Sequence, residues 1–262
     1  VNDMLIAGAG VAVGDINNDG LPDIYFTGNQ VQDRLFLNKG DLKFTDITEE
    51  AKILQESIWS TGVTMADVNN DGFIDIYVCK YVKGDLELSE NFLYINNGNL
   101  TFTESAREYG LADKAFSIQA NFIDVNMDGN LDVFVVNQPT SVGKRQGKNT
   151  AIPRNERGLY SDKLYMNNGK NKFIEISDRA GLTSLSFGLS ATAGDLNNDN
   201  YPDLYVSNDY ELPDFLYLNQ KDGSFKNKAN SNLKHMSSFS MGSDIADFDN
   251  DGFLDIVVVD MV

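Results

Sequence analysis

The sequence predicts an all-β protein built from repeated four-stranded antiparallel units. A nine-residue acidic pattern returns five times, a short apolar run follows each copy, and each of the first four repeats then carries an apolar block and an aromatic strand split by a glycine. The acidic pattern has Asp at positions 1, 5 and 9 and Asn or Asp at position 3. Its copies start at Asp15, Asp67, Asp124, Asp195 and Asp247, in steps of 52, 57, 71 and 52 residues. Self-similarity at this period marks a propeller or a solenoid array.

Each repeat opens on strand A, with an aromatic eight residues before the first Asp: Trp59, Phe116, Phe187 and Phe239, with Ala7 in the first repeat. Gly10, Gly62, Ala120, Ala191 and Gly242 lie further along it and suit a strand crowded by neighbouring units, while the aromatics pack between units. The acidic loop follows. Strand B is Ile24-Tyr-Phe, Ile76-Tyr-Val, Val133-Phe-Val-Val, Leu204-Tyr-Val and Ile256-Val-Val-Val, runs rich in β-branched and aromatic residues. Strand C starts at Leu35, Leu93, Leu164 and Leu216, each in a Leu-aromatic-x-Asn block that ends in a glycine turn, and strand D starts at Phe44, Phe102, Phe173 and Phe225. Four such strands make a blade. The repeats span roughly 7–54, 55–112, 113–184 and 185–234, with a partial fifth at 235–262, and 1–262 is expected to be one domain.

The loop chemistry suits a hard cation of calcium size, which takes six to eight oxygens. In the first loop Asp15, Asn17 and Asp19 offer side-chain oxygens, Leu21 its carbonyl, and Asp23 closes the site, in bidentate fashion. The corresponding ligands are Asp67, Asn69, Asp71, Phe73 and Asp75; Asp124, Asn126, Asp128, Asn130 and Asp132; Asp195, Asn197, Asp199, Tyr201 and Asp203; and Asp247, Asp249, Asp251, Phe253 and Asp255. Up to five calcium ions are expected. Position 6 is Gly20, Gly72, Gly129 and Gly252, where a positive φ is expected, and Asn200 in the fourth loop is the ordinary residue best suited to replace them. With Asp249 in place of Asn, the fifth loop has four carboxylates and is expected to bind most tightly. An EF-hand needs Glu at position 12 and flanking helices, whereas position 12 here is Phe26, Val78, Val135, Val206 and Val258.

This combination resembles the FG-GAP (VCBS) repeat family of integrin alpha subunits and bacterial surface proteins. The motif of that name is present in Phe187-Gly188 and, in altered form, in Ala193-Gly194. The resemblance implies a β-propeller whose calcium loops join strands A and B on one face and whose partners meet the other. The aspartates would then be structural ligands. Propellers of this family most often have seven blades, and four full repeats plus half of another lead to the expectation of an excerpt from a longer chain with other domains.

Composition narrows the partners. The net charge is −18, but sixteen of the 39 acidic residues are loop aspartates, so five divalent cations would bring it to −8. The acidity is a metal signature and argues against nucleic acid. No run of eighteen apolar residues is present, so no membrane-spanning segment is expected. Cys79 is a lone core residue without a disulfide framework. Calcium modules of weak, extracellular type lead to the expectation of an extracellular or cell-surface location, of bacterial outer-surface kind.

The connection from Pro139 to Tyr160 carries Lys144, Arg145, Lys148, Arg154 and Arg157 against only Glu156. Such a basic excursion suits an anionic glycan or an acidic protein patch. The polar ends of the B strands, Asn137, Gln138, Asn208, Asp209 and Tyr210 together with Asn29 and Gln30, are further ligand-binding candidates on the same face. The function expected is therefore recognition or adhesion toward a protein or glycan. The alternative is a calcium-stabilised enzyme such as a polysaccharide lyase, but the single His235 sits in a serine-rich stretch without an evident partner. Ser141-x-x-Lys144 lacks companion motifs, and no catalytic residue is assigned.

Overall fold

The structure is a computed structural model that describes residues 8–53, 59–82, 88–139, 159, 161–182, 187–209 and 213–261. Four sheets have four antiparallel strands each. The first joins β1 (Val11–Gly14), β2 (Asp23–Phe26), β3 (Arg34–Asn38) and β4 (Phe44–Asp46) in sequence order. The second joins β5 (Ser60–Ala66), β6 (Asp75–Lys80), β7 (Phe92–Asn96) and β8 (Phe102–Glu104), followed by a single helical turn, α1 (Ala106–Tyr109). The third contains β9 (Phe116–Ile123), β10 (Asp132–Gln138), β11 (Lys163–Asn167) and β12 (Phe173–Glu175). The fourth contains β13 (Gly188–Gly194), β14 (Asp203–Asn208), β15 (Phe215–Asn219) and β16 (Phe225–Asn227), again followed by one helical turn, α2 (Ala229–Asn232). The last pair, β17 (Ser240–Ala246) and β18 (Asp255–Asp260), forms a two-stranded sheet.

The register repeats from sheet to sheet. Tyr25 faces Leu35, Tyr77 faces Leu93 and Tyr205 faces Leu216. The residue before each strand B tyrosine likewise meets an aromatic: Ile24 with Phe36, Ile76 with Tyr94, Leu204 with Tyr217. In the second, third and fourth sheets strand B is buried on both faces, in the runs Asp75–Lys80, Asp132–Gln138 and Asp203–Asn208, which explains why the sequence there is a continuous apolar run and does not alternate.

The chain divides into two compact units, 1–120 with 167–174 and 121–166 with 175–262, and the boundary passes through the third sheet. In the first unit the core is Ile16, Tyr25, Leu35, Leu37, Ile47, Ala51, Ile53, Ile76, Val78, Tyr94 and Phe102. Beside it the first strands of successive repeats approach closely. A Cβ on Gly62 would lie 2.2 Å from the Ile118 carbonyl oxygen, and one on Gly10 would lie 2.8 Å from that of Thr61. Only glycine allows such an approach. Thr27 Oγ1 donates to Thr61 O (2.7 Å) and Thr61 Oγ1 to Ser117 O (2.6 Å), so the same strands are also stitched together. In the second unit, Val125, Phe134, Val136, Leu164, Leu182, Leu204, Val206, Phe215 and Phe225 lie in the main core.

Candidate metal centre

All five acidic loops share the hydrogen bonds made by positions 1 and 5. The carboxylate at position 1 accepts the backbone N–H groups of positions 5 and 6: Asp15 from Asp19 (3.1 Å) and Gly20 (2.7 Å), Asp67 from Asp71 and Gly72, Asp124 from Asp128 and Gly129, Asp195 from Asp199 and Asn200, Asp247 from Asp251 and Gly252. The carboxylate at position 5 accepts the N–H of position 7, that of Leu21, Phe73, Asn130, Tyr201 or Phe253. Asn17, Asn69, Asn126 and Asp249 at position 3 accept the position 5 N–H through Oδ1. Asn197 is the exception. It makes no such bond, which sets the fourth loop apart together with its Asn200.

Position 6 has positive φ throughout, from +69° at Asn200 to +90° at Gly72. Position 4 does too: Asn18, Asn70, Asn198 and Asn250 lie at 57–61°, and Met127 at 59°. The Asn-rich character of position 4 was a visible signal of this second left-handed residue. Met127 carries the strain without the asparagine side chain that tolerates it.

In the first four loops position 9 is a buried anchor, whereas Asp255 in the fifth is exposed. Asp23, Asp75, Asp132 and Asp203 are at most 1% exposed. Asp23 Oδ2 accepts Ile16 N–H (3.0 Å) and Oδ1 accepts Asn38 N–H (2.8 Å), and Asp75 and Asp203 repeat the arrangement with Val68 and Asn96 and with Leu196 and Asn219. A bidentate ligand role would therefore draw on the remaining lone pair of each oxygen. Burial pushes Asp23, Asp75 and Asp203 above the usual carboxylate range, assisted by the carboxylates at positions 5 and 1, and Asp75 reaches about 7. These are anions that burial and like-charged neighbours disfavour, and a divalent cation would relieve both. In the fifth loop, oxygens of Asp247, Asp249 and Asp255 lie within 4.8 Å of one another. An all-oxygen donor set of this kind fits a hard cation such as calcium.

Two polar hubs recur from repeat to repeat, the first beside the loops, and sequence reasoning missed both. The first is the strand C asparagine. Asn96 Nδ2 donates to the carbonyl of Ile74 in its own loop (3.0 Å) and to that of Ile16 in the preceding loop (2.8 Å), while Oδ1 accepts Gly98 N–H (3.0 Å). Asn219 repeats this with Pro202, Val125 and the N–H of Lys221, and Asn167 donates to Val68 O (3.3 Å). Asn38 donates to Pro22 O (2.9 Å) within its own repeat. The second hub lies at the other end of strand C. Asp33 accepts Tyr25 Oη–H (2.8 Å), Ser60 Oγ–H of the next repeat (3.1 Å) and Gly28 N–H (2.7 Å); Asp214 does the same with Tyr205, Ser240 and Asn208. In the second repeat the role falls to Asn91, which donates to Tyr77 and Ser117 and accepts Lys80 N–H. The signal was an Asp or Asn two residues before the strand C leucine.

That end of the sheets also corrects the expectation for Asn137, Gln138, Asn208 and Asp209 as ligand-binding groups. All four are buried. Asn137 Nδ2 donates to Ser161 O, Gln138 Nε2 to Gly188 O and Asn208 Nδ2 to Pro213 O, and Asp209 N–H donates to Phe187 O. Their amides satisfy backbone inside the fold, because strand ends buried between sheets must pair their polar groups. Lys144, Arg145, Lys148, Arg154, Arg157 and Tyr210 lie outside the described residues.

The family described as FG-GAP-like repeat matches residues 15–78, 154–206 and 207–258. The chain belongs to this family. Among curated proteins, cartilage acidic protein 1 of Xenopus tropicalis is 33% identical over 132 residues, which are 50% of this chain and 20% of that relative, so the FG-GAP chain spans a fifth of its length. Among solved structures, a lectin of Agrocybe aegerita described for specific recognition of non-reducing terminal N-acetylglucosamine aligns with a TM-score of 0.53 at 17% identity, covering 97% of this chain and 60% of that one. The biofilm matrix protein Bap1 of V. cholerae aligns at 0.47 with 16% identity, over 96% of this chain and 34% of that one. The lectin likeness agrees with an all-β fold of antiparallel sheets. Among the described residues no helix is long and apolar enough to cross a membrane.

Proposed function

We propose that this chain is a calcium-stabilised β-propeller segment that serves as a non-catalytic recognition or adhesion module, extracellular or at a cell surface, for a glycan or protein ligand. The observation that carries the reading is the shared position 1 and position 9 hydrogen bonding of the five acidic loops, four of which close on a buried position 9 aspartate, joined to membership of the FG-GAP-like repeat family. In each loop the side chains at positions 1, 3, 5 and 9 and the carbonyl at position 7 would hold the ion. Calcium would supply charge neutralisation and loop rigidity there, and the protein would supply the shape. The lectin and cartilage acidic protein likenesses favour a recognition role over catalysis. The ligand surface is proposed to lie on the face opposite the loops, where the basic segment with Lys144, Arg145, Lys148, Arg154 and Arg157 leaves strand B of the third repeat.

A glycan array probed with calcium present tests the module. Selective binding that is lost in the five-fold Ser variant of those basic residues is the expected result. The absence of any glycan or protein ligand, together with new reducing ends or unsaturated uronates on incubation with polysaccharides, would replace the reading with an enzyme.

A further inference from the structure

The fourth acidic loop meets a side chain that lies outside it. In the first three loops the position 3 amide donates to the position 5 carboxylate: Asn17 to Asp19 Oδ2 (3.0 Å), Asn69 to Asp71 Oδ2 (2.9 Å) and Asn126 to Asp128 Oδ2 (2.9 Å). Among the described residues Asn197 donates no such bond, and Asp199 Oδ2 faces the ammonium of Lys221 at 3.4 Å instead. Lys221 Nζ also donates to the Asp199 carbonyl (3.3 Å) and lies 5.3 Å from the centroid of the Tyr201 ring, the position 7 side chain. Asp199 is half-buried, whereas Asp19, Asp71, Asp128 and Asp251 are exposed. Lys221 stands where the other repeats have glycine. Gly40, Gly98, Gly169 and Lys221 each donate their N–H to the strand C asparagine two residues earlier, and their φ values are 79°, 71°, 69° and 68°. This turn faces the loop, since a Cβ on Gly98 would lie 3.0 Å from the ring of Phe73 at position 7. A side chain placed here is delivered to the loop, and a lysine is held here in a backbone conformation that favours glycine.

Taking the acidic loops as calcium sites, the reading on which this rests, we infer that Lys221 is a tethered cation of the fourth loop: it counters the Asp199 charge, so that this loop keeps its form without calcium and takes calcium last. In the first three loops the carboxylates at positions 1, 5 and 9 repel one another until a dication arrives. In the fourth, one of the three charges already has a partner. That partner removes part of the repulsion that calcium would relieve. An arriving ion must also displace the ammonium from Asp199 or bind beside a like charge, and either lowers its affinity.

Two variants of the whole chain test this. Lys221→Gly restores the residue of the other repeats and relaxes the backbone, while Lys221→Gln keeps a side chain in the left-handed turn and removes the charge. In a calorimetric calcium titration the wild type is expected to bind one ion about tenfold more weakly than the rest, and both variants to bring that ion within about threefold of the others. By amide exchange in chelator, the N–H groups of Asp199, Asn200 and Tyr201 are expected to stay protected in the wild type while those of Asp71, Gly72 and Phe73 do not, and to lose that protection in both variants. Three results overturn the inference and leave the calcium reading standing: either readout unmoved by the variants, wild-type protection no greater at the fourth loop than at the second, or an effect of Lys221→Gly that Lys221→Gln does not share, which would belong to the backbone. A chain that binds no calcium overturns both.

Discussion

Replacing Asn96 with alanine gives the sharpest mutational prediction, because the same substitution at Asn38 serves as its internal control. The Asn96 side chain makes three hydrogen bonds, to the carbonyls of Ile16 and Ile74 and from Gly98 N–H. Ile16 is 1% exposed, so its carbonyl would be left unpaired away from water, at about 1–3 kcal/mol. Ile74 and Gly98 are less buried, and each lost bond there costs about 0.5–1.5 kcal/mol. The total expected for Asn96→Ala is about 3 kcal/mol. Among the described residues Asn38 makes no bond to a preceding loop; its side chain donates to Pro22 O and accepts Gly40 N–H. Asn38→Ala should therefore cost about 1–2 kcal/mol. Urea unfolding at saturating calcium measures both. Equal losses at the two positions, or a loss at Asn96 below about 0.5 kcal/mol, would refute the claim that this amide ties one loop to the next.

Three further perturbations have defined outcomes. Met127→Asn places a residue that tolerates the left-handed region at φ 59° and should stabilise by about 0.5–1 kcal/mol; a loss of stability in thermal melts would show that this backbone position is not strained. Lys80 is 1% exposed, lies 3.4 Å from the centroid of the Phe92 ring, and is pushed down to about 8 by burial, against the pull of Asp33, Glu104 and Glu90. Because the folded chain releases this proton before the unfolded chain does, wild-type stability should rise with pH from about 8 to about 10.4; Lys80→Met should remove that rise and be more stable by about 1–2 kcal/mol at pH 7. In chelator, the raised Asp75 gives stability that is present below its unfolded value of 3.8 and lost as pH rises through about 7. The chelated protein should thus melt lower at pH 7.5 than at pH 5, with the order reversed by calcium, and a melt indifferent to pH in chelator contradicts the burial argument.

The strand order and the loop form were legible because both rest on local chemistry. Asp at alternate positions, Gly or Asn at position 6 and the β-branched run behind them are decided within nine to fifteen residues of chain. What escaped notice depends on residues far apart. Asn96 meets Ile16 across 80 positions and Asn219 meets Val125 across 94, and nothing in a single block of Leu-aromatic-x-Asn says that its amide reaches backward into another loop. Asn137 and Asn208 looked like ligand groups because polar residues at strand ends commonly face solvent. Here they end buried strands, so their amides pair with backbone instead. The third repeat shows the limits of repetition as a guide. Phe134 and Gly188 stand where the other repeats have a tyrosine and a serine hydroxyl for the strand C hub, although the sheet itself keeps its order.

The central claim is that the five acidic loops are structural calcium sites, and a calorimetric calcium titration of the chelator-stripped chain tests it most directly. Saturable binding approaching five ions per chain, with a melting temperature that rises on calcium addition and falls again with chelator, is the predicted result. No binding heat above dilution, with a melting temperature that chelator leaves unmoved, would contradict it.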